Sequence, residues 1–173
     1  MDIFAPDIYV QSIFNINYKA LKKSGIKCLL FDLDNTLAPI KSTMPGIKEK
    51  ELIEGLKDMG FKVIIISNSG KTRLESFKEG FNVDTAANSK KPFKKKYQKI
   101  QKMFKFQDNE IAAIGDQLMT DILGANRMGF TSILVNPISR EDFFVTKFNR
   151  FLEKIIMKKL NNKGLFTKGE YHD

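Results

Sequence analysis

Two carboxylates stand two residues apart in Leu29-Leu30-Phe31-Asp32-Leu33-Asp34-Asn35-Thr36-Leu37, directly behind a short apolar run. On an extended chain such residues share a side. Crowded acids repel one another unless a cation neutralises them, and Mg²⁺ suits an all-oxygen set because it keeps waters that a phosphate can displace. The pair also fits a solvated Asp/Asn turn. A second pair, Asp116 and Asp121, follows Ala112-Ala113-Ile114-Gly115, where Asp can equally cap a helix start. Between the two pairs lies Ser67-Asn68-Ser69-Gly70, whose hydroxyls and N–H groups can hold phosphate oxygens or simply cap the following helix. Lys91, one lysine among many, comes next. Taken together, the acids, the hydroxyl turn and the lysine occur in the order that a pocket for a metal and an anion requires.

These residues must be positioned by a framework, and apolar periodicity supplies one. Strands are predicted over 26–31, 61–66, 83–86, 110–114 and 132–135, and helices over 45–59, 72–79, 92–104, 118–128 and 142–160. Strand-helix alternation predicts an α/β fold with a mainly parallel, five-stranded sheet. The candidate residues then fall at its carboxyl edge, where open sheets bind ligands. A length of 173 residues predicts a single domain, 1–173, with its core over about 20–160 and residues 161–173 as a flexible polar tail. A hydrophobic content of 42% excludes wholesale disorder. The apolar runs are strand-length, far short of the roughly 20 residues of a membrane-spanning helix. The first residues lack a basic segment followed by an apolar one, and the only cysteine, Cys28, lies in an apolar run. Both features predict a cytoplasmic protein.

The net charge of +9 is unevenly spread. Residues 90–105 carry eight lysines and no acid, and residues 147–168 carry a second basic cluster against the single Glu153. Each patch reads as a solvated surface or as attraction to anionic lipid or nucleic acid. In a helical 144–160, Phe144, Phe148, Phe151, Leu152 and Ile155 form one apolar stripe beside Lys147, Arg150, Lys154 and Lys158. Such a helix can pack on the sheet or lie on an anionic membrane. Phe93, Tyr97 and Phe104 interleave with the lysines of 90–105, which leaves open a nucleic-acid or ribosome-associated binding module whose acidic pocket is vestigial.

On these residues the chain resembles the haloacid-dehalogenase superfamily of phosphohydrolases. Asp32-Leu33-Asp34-Asn35-Thr36 matches the Asp-x-Asp-x-Thr signature, Ser67 the second motif, Lys91 the third, and Gly115-Asp116 through Asp121 the fourth. With Gly25-Ile26-Lys27 and Gly124-Ala125-Asn126-Arg127, the pattern looks like the YqeG branch, which is similar to mitochondrial phosphatidylglycerophosphate phosphatases. The resemblance implies a three-layer, Rossmann-like fold and a Mg²⁺-dependent phosphatase working through an aspartyl-phosphate. Asp32 would be the nucleophile, Asp34 the general acid and base, and Lys91 the group that offsets developing charge. Thr36, Ser67, Asn68 and Lys91 would contact the phosphorylated substrate. The metal would be held by the Asp32 side chain, the Asp34 backbone carbonyl and Asp116, with Asp121 orienting Lys91 or a water near the metal. The intervals from Asp34 to Ser67 and from Ser67 to Lys91 leave no room for a cap domain. An open site suits a bulky or surface-borne substrate, such as a lipid head group presented at the inner face of a membrane.

Overall fold

The computed structural model describes residues 2–139 and 144–172, with the side chains of residues 144–151 outside that description. It contains six parallel strands, β1 (Ile8–Val10), β2 (Cys28–Phe31), β3 (Lys62–Ile66), β4 (Asp84–Ala86), β5 (Ile111–Gly115) and β6 (Thr131–Val135), in the order β1-β6-β5-β2-β3-β4. Helices α1 (Tyr18–Lys23), α2 (Ile47–Asp58), α3 (Lys71–Phe81), α4 (Lys94–Phe104), α5 (Leu123–Met128) and α6 (Phe144–Asn162) complete the framework. The sheet has one strand more than the five expected. β1 is only three residues long and pairs with β6 at the edge, too short for a clear alternation of apolar and polar residues.

Period-two alternation divides the strands between two cores. In β2, Leu29 and Phe31 pack with α1, α2 and α3, whereas Cys28 and Leu30 face α4 and α5. Both faces are therefore covered, the condition under which buried parallel strands are stable. β2 is central. The chain builds outward from it through β3 to β4, then returns to place β5 on its other side. That reversal opens a crevice at the carboxyl ends of β2 and β5, the usual ligand position in such sheets. Only α2 and β3 lie between Asp34 and Ser67, and only α3 and β4 between Ser67 and Lys91. No cap domain is present there.

Two elements depart from expectation. The helix expected over 118–128 begins as a wide π turn, Leu118–Ile122, before α5, and such turns recur at functional sites. Residues 161–173 were expected as a polar tail. Instead, Phe166 is buried with Tyr9 and Leu160, and His172 pairs with Tyr9 through reciprocal backbone hydrogen bonds of 2.8 Å. The described part of α6 docks through Ile156, Met157 and Leu160. Ile155, expected on the apolar stripe, is 57% exposed. Phe144, Phe148 and Phe151 of that stripe, with Lys147 and Arg150, lie outside the described side chains.

Candidate active site

β2 delivers Asp32 to the carboxyl edge, where its backbone N–H donates to the Ile114 carbonyl at 2.8 Å, extending the ladder to β5 by one residue. The chain then turns sharply. Asn35 adopts the left-handed conformation (φ 65°), which Asn tolerates better than most residues. Its carbonyl accepts from Ile138 N–H, and its side-chain oxygen accepts from Ser139 Oγ at 2.9 Å. The acid loop is thus tied to the end of β6.

Asp116 follows β5 directly, and the π turn swings Asp121 back beneath it. Gly115 is required by that approach, since a Cβ there would lie 2.2 Å from the Asp121 carboxyl carbon. Carboxylate oxygens of Asp32, Asp116 and Asp121 consequently lie within 4.8 Å of one another, all three residues buried. Thr36 Oγ1 donates to Asp116 at 3.3 Å.

Lys91 enters this cluster as its cation. Its Nζ lies 2.5 Å from Asp32 Oδ1 and 2.6 Å from Asp121 Oδ1, with the lysine side chain only 3% exposed. Burial opposes its charge, but Asp121 and Asp32 overcome that penalty and hold the ammonium above the ordinary lysine range. Burial pushes the Asp32 carboxyl well up, opposed by Lys91 and reinforced by Asp121 and Asp116. Three carboxylates gathered this closely form a set that a divalent cation could neutralise. The donors are all hard oxygens, as Mg²⁺ requires. Asp121 is otherwise engaged: one oxygen takes Lys91, and the other accepts the Gln117 N–H at 3.1 Å. That placement fits a residue that orients Lys91.

On the opposite wall, Asp34 meets the end of β3. Ser69 Oγ donates to Asp34 Oδ2 at 2.7 Å, and Ser67 Oγ reaches the same oxygen at 3.5 Å. Ser67 does not cap α3, whose first turn follows Gly70 without a side-chain cap. Asn68, expected against the substrate, braces the Lys91 segment. Its carbonyl oxygen accepts from Lys91 N–H at 2.6 Å and from Ser89 Oγ at 2.8 Å, while its amide donates to the Lys91 carbonyl at 3.3 Å.

The arrangement also includes residues that the motif reading passed over. Arg73 places Nε at 3.2 Å and Nη2 at 3.0 Å from Asp34 Oδ1, and donates to the carbonyls of Ser42 and Pro39. A sequence signal for it exists: a cation in the first turn of a helix opposes the macrodipole and calls for a nearby acid. Ser69, a member of the hydroxyl turn, makes a shorter bond to Asp34 than Ser67 does.

The family model described as mitochondrial PGP phosphatase matches residues 1–139, which include all of these groups. The chain belongs to that phosphatase family. It is 36% identical over 161 residues to the probable phosphatase YqeG of Bacillus subtilis, covering 93% of this chain and 94% of that protein. It is 28% identical to a phosphatidylglycerophosphate phosphatase 1 of Arabidopsis thaliana over 92% of its own length, but spans only 49% of that larger protein. Among solved structures, a putative haloacid-dehalogenase subfamily III A hydrolase from Legionella pneumophila superposes with a TM-score of 0.54 at 20% identity, covering 71% of this chain and 72% of that one. The cobalt-bound deoxy-D-mannose-octulosonate 8-phosphate phosphatase from Haemophilus influenzae gives a TM-score of 0.56 at 14% identity, covering 80% and 94%. The chain is a phosphohydrolase with the fold of this superfamily. Among the described residues, no helix is long and apolar enough to cross a membrane.

Proposed function

We propose that this phosphohydrolase cleaves a phosphomonoester through a covalent intermediate on Asp32, with Mg²⁺ as its metal. The observation that carries the reading is the buried Asp32–Lys91–Asp121 chain beside Asp116, because a structural ion pair needs no third carboxylate within 4.8 Å. An Asp32 oxygen attacks phosphorus in line, and the bond to the ester oxygen breaks with its electron pair moving onto that oxygen. Asp34 supplies the proton to the departing alcohol, then takes one from the water that attacks the aspartyl-phosphate and releases inorganic phosphate. Lys91 and Ser67 counter charge on the transferring oxygens.

Asp32, Asp116 and the Asp34 backbone carbonyl would hold the metal, which supplies charge neutralisation for the incoming phosphate when bound. Thr36 holds Asp116 in place. Phosphatidylglycerophosphate is the substrate we favour, supported by the family match and by an edge without a cap over Asp32. Of the three aromatics behind the basic-module alternative, Phe93 is exposed, whereas Tyr97 is buried and Phe104 is half-buried under Lys62. The latter two rings pack the helix rather than offering faces to bases. A phosphate-release panel of nucleotides, sugar phosphates, phosphoproteins and phosphatidylglycerophosphate, with and without Mg²⁺, tests the proposal. The expected result is Mg²⁺-dependent release that favours the lipid and is abolished in Asp32→Asn. Equal release by that variant would remove the assigned nucleophile.

A further inference from the structure

The rim around this site has an unusual surface. Among the described residues, three of the most exposed large apolar side chains, Ile47 (77%), Met44 (67%) and Phe93 (62%), all follow carboxyl ends of strands. Met44 and Ile47 sit between Asp34 and the body of α2, and Phe93 lies two residues beyond Lys91 at the start of α4. Interleaved with them are the exposed Lys48, Lys90, Lys94 and Lys95. Residues 39–48, 68–73, 87–95 and 136–139, all at this edge, contain no Asp or Glu. Glu49 is the nearest acid that follows these stretches, and the opposite edge mixes Asp58, Asp84, Asp108 and Glu110 with lysines, two of which pair with those acids, Lys62 with Asp84 and Lys27 with Glu110. Four exposed lysines and three protruding apolar groups thus flank the opening of the pocket.

We propose that the carboxyl edge is a docking face for an anionic lipid bilayer, with Ile47 and Phe93 entering the headgroup layer and the neighbouring lysines pairing with lipid phosphates. Buried apolar area and attraction to anionic lipid are the two contributions that bind a peripheral surface. A nucleic acid is the poorer fit: of the three exposed apolar groups only Phe93 has a ring for a base to stack on, and the edge's Arg73 is committed to Asp34. In substrate terms the inference rests on the phosphomonoester reading, since a docked bilayer would hold a lipid-borne phosphate directly over Asp32. Docking itself requires no turnover.

The chain contains no tryptophan, so a single introduced indole reports its own surroundings. We would prepare Phe93→Trp, Ile47→Trp and, as a control from the far end of α4, Met103→Trp, which replaces a residue that is 61% exposed. Each variant is mixed with phosphatidylglycerol or phosphatidylcholine vesicles, with circular dichroism confirming the fold. The expected result is a blue shift for Phe93→Trp and Ile47→Trp on phosphatidylglycerol alone, with Met103→Trp unchanged. In parallel, Ile47→Glu/Phe93→Glu should lower the vesicle-bound fraction about tenfold while leaving hydrolysis of soluble p-nitrophenyl phosphate unaltered. An equal shift at Met103→Trp, no shift anywhere, or binding to single-stranded RNA in preference to phosphatidylglycerol would overturn the proposal. Insertion by a chain that releases no phosphate from any substrate would support docking while refuting the phosphatase reading, and the reverse pattern would do the opposite.

Discussion

Replacing Lys91 by methionine separates its electrostatic contribution from its size. The lysine side chain is 3% exposed, and its partners Asp32 and Asp121 are 7% and 4% exposed. Methionine fills similar space but leaves both carboxylates, with Asp116 beside them, without their buried cation. Breaking a buried pair from one side costs about 3–5 kcal/mol, because the surviving charge stays desolvated and unpaired. In a chain of this length each kcal/mol shifts the melting temperature by about 2–4 °C, so Lys91→Met should melt roughly 6–20 °C below the parent. Asp32→Asn behaves differently. It leaves the Lys91–Asp121 bond intact and removes one repelling carboxylate, so its melting temperature should match or exceed that of the parent. The double variant should recover part of the Lys91→Met loss. Thermal melts by circular dichroism in chelator-treated buffer measure all three. A Lys91→Met protein melting with the parent, or an Asp32→Asn protein melting as low as Lys91→Met, would refute the charge balance described here.

Other outcomes follow from neighbouring groups. Arg73→Ala frees Asp34 from its fork and should lower turnover about 100-fold with little change in KM; Arg73→Lys should restore only part, since an ammonium cannot form the fork, and a fully active Arg73→Ala would dismiss the positioning role. Asp116→Ala should raise the Mg²⁺ concentration for half-maximal activity at least about tenfold, and an unchanged metal titration would argue against ligation. Burial pushes the Cys28 thiol up to about 12 from an ordinary 9.0, so iodoacetamide should label it at pH 8 only after unfolding. The same shift means that the folded state holds this proton more tightly. Its stabilisation is complete below pH 9.0 and is lost as pH rises toward 12, which alkaline melts of Cys28→Ala against the parent would reveal.

What could be read from the chain depended on the range of the interactions. Continuous apolar runs made β2, β3 and β5 legible, since a strand buried on both faces needs no partner to show itself. The acids and Lys91 were legible because motif order and strand ends agreed. Four things were hidden for physical reasons. β1 draws its stability from pairing with β6 and from Tyr9 packing on Phe166, contacts about 125 and more residues away along the chain. The docking side of the described part of α6 was not legible because the core, rather than the helix, decides which apolar residues are covered, and it selected Ile156 and Leu160 over Ile155. Asn68 could not be assigned from type alone, since an amide at that turn serves a phosphate and a backbone equally well. Arg73 was concealed among lysines, although its unfavourable place in the first turn of α3 marked it.

The central claim is that Asp32 carries the phosphoryl group between substrate and water. Its most direct test is to quench the working enzyme in acid, reduce with borohydride, and sequence the peptide spanning residues 27–41. Reduction of an aspartyl-phosphate yields homoserine, which should appear at position 32 in the parent, only with substrate and Mg²⁺ present, and never in Asp32→Asn. Homoserine at another aspartate, or steady phosphate release with position 32 unmodified under every quench, would contradict the account.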